Sequence, residues 1–221
     1  MSPDSVARLA RLDTCAVADA LDRMKLKGVV PGLTALSTTR RIAGEVVTVQ
    51  LGPDDGRPSK RHLCTAAVEA SGPGKVILVA HGRRTDVAGW GGILSLAASL
   101  RQAEGVVIDG ACRDLDESRE FGLPVYGRAW TPTTARGRIT ETDWACPVTI
   151  AGVAAAPGDL LIADASGVVI IPKDHAEEVL AIAERIAAKE KLMMADLRAG
   201  KTVSDVMGAD YESMLSRGDF A

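Results

Sequence analysis

Apolar and polar positions along this chain follow two periods, and each change of period marks an element. Over residues 4–23, Val6, Leu9, Leu12, Val17 and Leu21 recur at helical spacing, and the run stops before Gly28, Pro31 and Gly32. Residues 42–51, with Val46, Val47 and Val49, read as a strand; a polar loop over 52–58 leads into a helix around 61–70. The turn Ser71-Gly72-Pro73-Gly74 introduces KVILVA at 75–80, a buried strand. A helix entered through glycines follows over 91–103, then a second short buried strand over 105–109 and a short helix over 114–121. Residues 148–153 and 159–172 supply further strands, the second turning at Asp164-Ala165-Ser166-Gly167 as a hairpin with a longer loop. A long amphipathic helix over 174–199, preceded by Pro172 and stopped by Gly200, leads to a short helical tail.

Strands and helices intermix, yet the end of the pattern is hairpin-like. The expected fold is therefore one α/β domain over residues 1–221, with a mixed sheet flanked by helices instead of a purely parallel doubly wound one. Ala187, Ala188, Met193 and Met194 make the long helix more apolar than a solvated helix needs. It either covers its own sheet or packs on a neighbouring subunit.

Composition narrows the partners. Aromatics are only 3% of the 221 residues, so the core must come from Ala, Val, Leu and Ile, and a base-stacking nucleic-acid surface is not expected. The formal net charge is -3 and no basic stripe is present, which also argues against a phosphate-backbone partner. The first eleven residues carry no apolar signal core and no segment approaches a membrane span, so a cytoplasmic location with no membrane partner is expected. Cys15, Cys64, Cys112 and Cys146 are far apart, with no C-x-x-C and no histidine at zinc spacing, and read as reduced, mostly buried thiols. Cys112 alone keeps interest, through its neighbours.

Those neighbours are GVVIDGACRDLDE, residues 105–117. An apolar strand ends at Asp109, turns at Gly110 and delivers Arg113, Asp114, Asp116 and Glu117, at the carboxyl end of a strand, where α/β proteins place ligands. Asp114 and Glu117 share one helical face and offer hard oxygen donors suited to magnesium, manganese or calcium. The same D-x-x-E spacing also describes a capping box, an ordinary helix start. Arg113 tips the balance, because a planar cation beside a metal-binding carboxylate can polarise an oxygen that gains charge. Upstream, AGWGGILSL (residues 88–96) brings glycines to a helix entrance. Gly91 and Gly92 either only allow close packing or leave backbone N–H groups aimed at a carboxylate or phosphate. The stretch is not G-x-G-x-x-G, so a dinucleotide reading is poor.

Gly92, twenty intervening residues, Arg113-Asp114, two residues and Glu117 reproduce the pattern G-x20-R-D-x2-E/D. On that pattern the chain resembles the 4-hydroxy-4-methyl-2-oxoglutarate aldolase family, whose fold is shared with the regulator of ribonuclease E activity A. CAVADALDR (15–23), IAGEVVTV (42–49), SGPGKVILV (71–79) and APGDLLIADASGVVIIP (156–172) resemble the same family, so the likeness runs from about residue 12 to about residue 208. It implies a swivelling β/β/α fold. It also implies that Asp114 holds a divalent metal, Mg2+ or Mn2+, directly or through water, and that Arg113 contacts a 2-oxo group and stabilises an enolate. Backbone amides after the pattern's glycine, those of Ile93 and Leu94 beside Gly91 and Gly92, would receive a pyruvate carboxylate. Glu117 completes the motif, and Glu190, on the C-terminal helix of an adjacent subunit, would reach the site in a homotrimer or homohexamer. One departure is Lys75, where the family's strand usually begins with aspartate.

The activity so implied is a class II pyruvate aldolase. It would cleave a 4-hydroxy-2-oxo acid, such as 4-hydroxy-4-methyl-2-oxoglutarate or 4-carboxy-4-hydroxy-2-oxoadipate, to pyruvate and a 2-oxo acid. Oxaloacetate decarboxylation would yield the same enolate without a base, whereas cleavage needs one, for which a metal-bound water or hydroxide is a candidate. A Schiff-base aldolase needs a desolvated lysine, and Lys75 and Lys173 are expected to be exposed. A non-enzymatic, protein-binding regulator of the ribonuclease E type is the competing reading, disfavoured by Arg113, Asp114 and Glu117 occurring together. A methyltransferase finds no glycine-rich cofactor loop. The loops 52–60 and 83–90, with Arg57, Arg61, Arg83, Arg84 and Trp90, are expected to line the remainder of the substrate pocket.

Overall fold

A computed structural model describes residues 3–56 and 61–208. Two helices, α1 (Pro3–Leu9) and α2 (Thr14–Arg23), replace the single one expected over 4–23. Asp13 divides them: its backbone is extended and its carboxylate accepts from the Ala16 N–H at 2.8 Å, an N-cap that starts α2 afresh. There follow β1 (Val29–Val30), β2 (Thr34–Ala35), β3 (Ile42–Pro53), α3 (Thr65–Ala70), β4 (Lys75–Ala80), α4 (Gly92–Leu100), β5 (Gly105–Cys112), α5 (Leu115–Glu120) and β6 (Val125–Trp130). The chain continues through β7 (Ile139–Trp144), β8 (Val148–Ile150), β9 (Val153–Ala155), β10 (Leu160–Asp164), β11 (Gly167–Ile171), α6 (Ala176–Arg198) and α7 (Val203–Val206).

The large sheet runs β1-β11-β10-β3-β4-β5-β6-β2, with β7 pairing on β3. Strands β3 to β6 are parallel, and the other pairings are antiparallel, so the sheet is mixed, as the pattern implied. Alternation decides its two faces. Val47, Val49, Ile77, Val79, Val106 and Ile108 bury against α3 and α4, and Ala43, Leu160, Ile162, Val169 and Ile171 extend that face beneath α1, α2 and α6. Val46, Val76, Leu78, Val107 and Leu161 point the other way, onto the β8–β9 hairpin. The helices therefore gather on one face and a small sheet covers the other, a β/β/α sandwich. Burying each Val, Leu or Ile here contributes roughly 1.5–3 kcal/mol relative to exposure.

Local chemistry corrects several expected boundaries. The Asp164–Gly167 hairpin is tight, because Asp164 and Gly167 pair and leave two residues between them. The strand expected over 148–153 is instead a hairpin, turning at Ala151 and Gly152, both at positive φ. Helix α6 is buried along its first half (Val179, Leu180, Ala183, Ile186), whereas Leu192, Met194 and Leu197 of its second half are exposed.

Strand β5 continues past Asp109, through a register shift between Ile108 and Ala111. The loop after β4 lies along this extension. Arg83 N donates to Asp109 O, Ala111 N to Arg84 O, Gly89 N to Ala111 O, and Arg113 N to Trp90 O, at 2.8–3.0 Å. The buried His81 ring wedges beneath, its Nε2 2.8 Å from Val87 O, and a Cβ at Gly110 would collide with that ring. This zipper sets Gly91 and Gly92, at the start of α4, beside Arg113 and Asp114.

Candidate active site

Asp114 sits where a helix cap would, but it does not act as one for its own helix. Its backbone is left-handed (φ 57°, ψ 44°), and its side chain makes no capping bond to α5. An aspartate in that region carries strain of about 1–3 kcal/mol, and such residues cluster at functional sites. The carboxylate turns instead to α4. Oδ2 accepts from the Gly92 N–H at 3.0 Å, and Arg113 Nε donates to Oδ2 and Oδ1 at 3.1 and 3.2 Å. The capping-box reading of Asp114 and Glu117 is thereby overturned, because a left-handed residue aims its side chain away from its own helix.

The glycines are required by space. A Cβ on Gly92 would fall onto the Glu117 carboxylate, and one on Gly91 would lie 2.9 Å from Asp114 Oδ2 and 3.1 Å from Arg113 Cγ. Close packing thus accounts for both. With Gly92 N–H taken by Asp114, the N–H groups of Ile93 and Leu94 have no partner among the described residues, and Ser95 N is the first to return to the helix, at Gly91 O.

Arg113 and Asp114 form a ridge between two clefts. One, of about 500 Å3, is lined by Gly91 to Leu94, Arg113 and Asp114 together with His62, Thr65, Thr134 and Arg136. The other, of about 850 Å3, is bordered by Thr34, Leu36, Glu117, Arg119, Trp130 and Thr131. Sequence reasoning missed His62, Thr65, Thr134 and Arg136. No periodic signal marks the 131–138 loop, and only the fold carries it over the start of α4. Trp90 is buried, with its indole Nε1 donating to Ser95 Oγ at 2.9 Å, so it serves as wall rather than as an open contact. Arg61 is held by Glu141 and lies over Trp144, and Arg84 pairs with Asp86; Arg57 lies outside the described residues. Neither Lys75 nor Lys173 lines either cleft.

Burial pushes the Cys112 thiol up to about 12 and raises the Cys64 thiol well above its usual value, which suits buried, unreactive cysteines. Cys15 is exposed, against expectation. Glu190 lies on α6, and its carboxyl is raised, first by burial and then by the charges of Asp13 and Asp19. Among the described residues no hydrogen bond or ion pair joins it to Arg113, Asp114 or Glu117. The described residues hold no cluster of three or more His, Cys, Asp or Glu able to seize a metal by themselves. Asp114, with Glu117 close by, is a sparse all-oxygen set. That fits Mg2+, which keeps several waters and takes one or two carboxylates plus substrate oxygens.

Residues 14–170 match the RraA-like family model, described as Aldolase/RraA. The chain belongs to the RraA-like family. A relative from Halalkalibacterium halodurans, named "Putative 4-hydroxy-4-methyl-2-oxoglutarate aldolase", is 31% identical over 189 residues, 85% of this chain and 86% of the relative. Protein DlpA of Legionella pneumophila is 26% identical over 201 residues; the match takes in 91% of this chain but only 33% of DlpA. Among solved structures, Streptomyces coelicolor RraAS2, titled an unusual member of the RNase ES inhibitor RraA protein family, superposes with a TM-score of 0.76 at 26% identity, over 87% of this chain and 96% of that one. This RraA-like chain thus shares its fold with proteins named for two different roles. No helix among its described residues is long and apolar enough to cross a membrane.

Proposed function

We propose that this RraA-like chain is a divalent-metal-dependent carbon–carbon lyase of small 2-oxo acids, a class II pyruvate aldolase with oxaloacetate decarboxylase activity. The observation that carries the reading is one wall of one cleft: the Arg113–Asp114 pair seated against the unpartnered N–H groups of Ile93 and Leu94. In this reading those two N–H groups, at the positive end of α4, receive the substrate carboxylate. Arg113 faces the 2-oxo oxygen, and as the bond between C3 and C4 breaks its guanidinium stabilises the charge that collects there. Asp114 holds Mg2+ or Mn2+, with Glu117 in support and Glu190 supplied across a subunit boundary in a homotrimer or homohexamer. When bound, the metal supplies Lewis-acid polarisation of the keto oxygen. The substrate is a 4-hydroxy-2-oxo acid such as 4-hydroxy-4-methyl-2-oxoglutarate, and the setting is cytoplasmic.

The likeness to RraAS2 favours a second reading, a protein-binding regulator without catalysis. Pyruvate release from oxaloacetate, with Mg2+ and with EDTA, separates them. The lyase predicts metal-dependent turnover that Arg113→Ala and Asp114→Ala each lower by about a hundredfold or more. Turnover unchanged in those variants removes this mechanism; turnover absent from the unaltered protein removes the lyase and leaves the regulator.

A further inference from the structure

Cleavage of a 4-hydroxy-2-oxo acid needs a base at the C4 hydroxyl, and beside a metal-bound water or hydroxide the side chains lining the cleft supply one candidate. Its ionisable lining is His62, Arg113, Asp114 and Arg136. The guanidinium groups are hydrogen-bond donors with no acceptor, and Asp114 is engaged by Arg113 and the Gly92 N–H. Of these four, only the imidazole offers a ring nitrogen that can accept a proton and is not already engaged. We propose that His62 is the general acid–base residue of the aldol step, an inference that rests on the lyase reading above.

The backbone at His62 is braced for such a role. Its carbonyl accepts from Thr65 Oγ1 at 2.8 Å and from Thr65 N at 3.4 Å. Two residues on, Cys64 takes the left-handed conformation (φ 65°), and its N–H donates to Glu141 Oε2 at 2.7 Å. Glu141, whose side chain is only 4% exposed, also grips Arg61 through Nε at 3.0 Å and Nη2 at 2.9 Å. Residues on both sides of His62 are thus tied to β7 through one buried carboxylate. His62 itself carries no side-chain hydrogen bond among the described residues and is exposed where it lines the same cleft as Arg113.

The step balances without a further reactant. The imidazole takes the proton of the C4 hydroxyl, that oxygen's electron pair closes the new carbonyl, and the C3–C4 bonding pair moves into the enolate. The imidazolium then returns its proton to C3, and pyruvate and the carbonyl product leave. Loss of carbon dioxide from oxaloacetate forms the same enolate with no hydroxyl proton to remove, so it bypasses His62.

That difference is the test. Retro-aldol cleavage of 4-hydroxy-4-methyl-2-oxoglutarate and decarboxylation of oxaloacetate are measured side by side, with Mg2+, for the unaltered protein and for His62→Gln and His62→Ala. Cleavage is expected to fall by about 10²–10⁴-fold, the usual contribution of a placed acid–base group, with decarboxylation within roughly twofold. Added imidazole is expected to restore part of the cleavage in His62→Ala but not in His62→Gln. Equal loss of both reactions, or cleavage unaffected in either variant, overturns the role. If the unaltered protein performs neither reaction, the lyase reading fails and this inference falls with it.

Discussion

Strand β5 and its exit carry two aspartates five residues apart, each paired with an arginine, and the two pairs are built for opposite purposes. At Asp109 the pair is internal. Arg128 Nε donates to Asp109 Oδ1 at 2.5 Å, the side chains are 11% and 2% exposed, and the Ala151 N–H fills the other carboxylate oxygen. Arg128 also donates to Pro31 O and Gly32 O. With both carboxylate oxygens and three guanidinium N–H donors engaged, this pair ties β5 to β6, to the β8–β9 turn and to the β1–β2 connection. At Asp114 the side chains are 39% and 29% exposed, the contact is 3.1 Å, and the backbone is left-handed. The first pair lines neither cleft; the second borders both. Identical residue types divide into structure and chemistry by burial and by what else they touch.

Removing one partner tests the contrast at its largest. Asp109→Ala leaves the Arg128 guanidinium buried without its carboxylate and should destabilise the fold by about 3–5 kcal/mol, read from urea unfolding. A midpoint within about 0.5 kcal/mol of the unaltered protein would mean that Asp109 is as dispensable as a surface group. The converse change is Arg113→Ala or Asp114→Asn. Each should lower oxaloacetate decarboxylation by about a hundred- to thousandfold, roughly 3–4 kcal/mol of transition-state stabilisation. Unfolding should shift by less than about 1 kcal/mol, because a part-exposed pair is screened. Variants that unfold as readily as Asp109→Ala would erase the distinction between the two pairs.

The contrast also marks where the sequence stopped being legible. The apolar runs at 75–80 and 105–109 gave the two central strands, because a buried strand leaves no choice of side chain over five or six residues. Strands β1, β2, β6 and β7 went unread: β1 and β2 are two-residue pairings, and β7 (ITETDW) lies on the rim of β3 with five polar or aromatic positions at least part-exposed. Their existence depends on a partner that sequence spacing does not name. At the site, the motif residues Gly92, Arg113, Asp114 and Glu117 were legible, and the fold brings all four together. Whether Asp114 caps its helix was not, since φ at one residue decides it. Glu190 stays apart within the chain, and His62 and Arg136 reach the cleft only through long-range folding.

A smaller change probes the packing that holds the exposed pair. Gly92→Ala drives a Cβ into the Glu117 carboxylate and should cost about 1–3 kcal/mol of stability or displace Glu117, with activity falling alongside. Gly92→Ala combined with Glu117→Ala removes the clash and should recover the stability, although not the full activity. A double variant no more stable than Gly92→Ala would assign the loss to backbone strain and separate Gly92 from the pair.

Between the two pairs lies Gly110, and beneath it His81, so acid should loosen the shelf that carries both. The His81 imidazole is held below its ordinary value of 6.5, first by burial, which disfavours the charged ring; Arg84 pushes the same way, while the Val87 carbonyl, Asp86 and Asp109 oppose it. The unfolded chain, with an ordinary histidine, takes up the proton first as pH falls. Stability from this group is therefore complete above about pH 6.5 and is lost as pH drops toward the lower folded value, at no more than about 1.4 kcal/mol per pH unit. Urea midpoints measured from pH 7.5 to 5 should fall in the unaltered protein. His81→Asn, less stable at pH 7.5, should show a flatter decline over the same interval. Parallel declines would place the acid sensitivity elsewhere and leave His81 as a wedge of shape alone. A flatter one would tie the acid limit of the site to the single ring packed under the turn that joins Asp109 to Asp114.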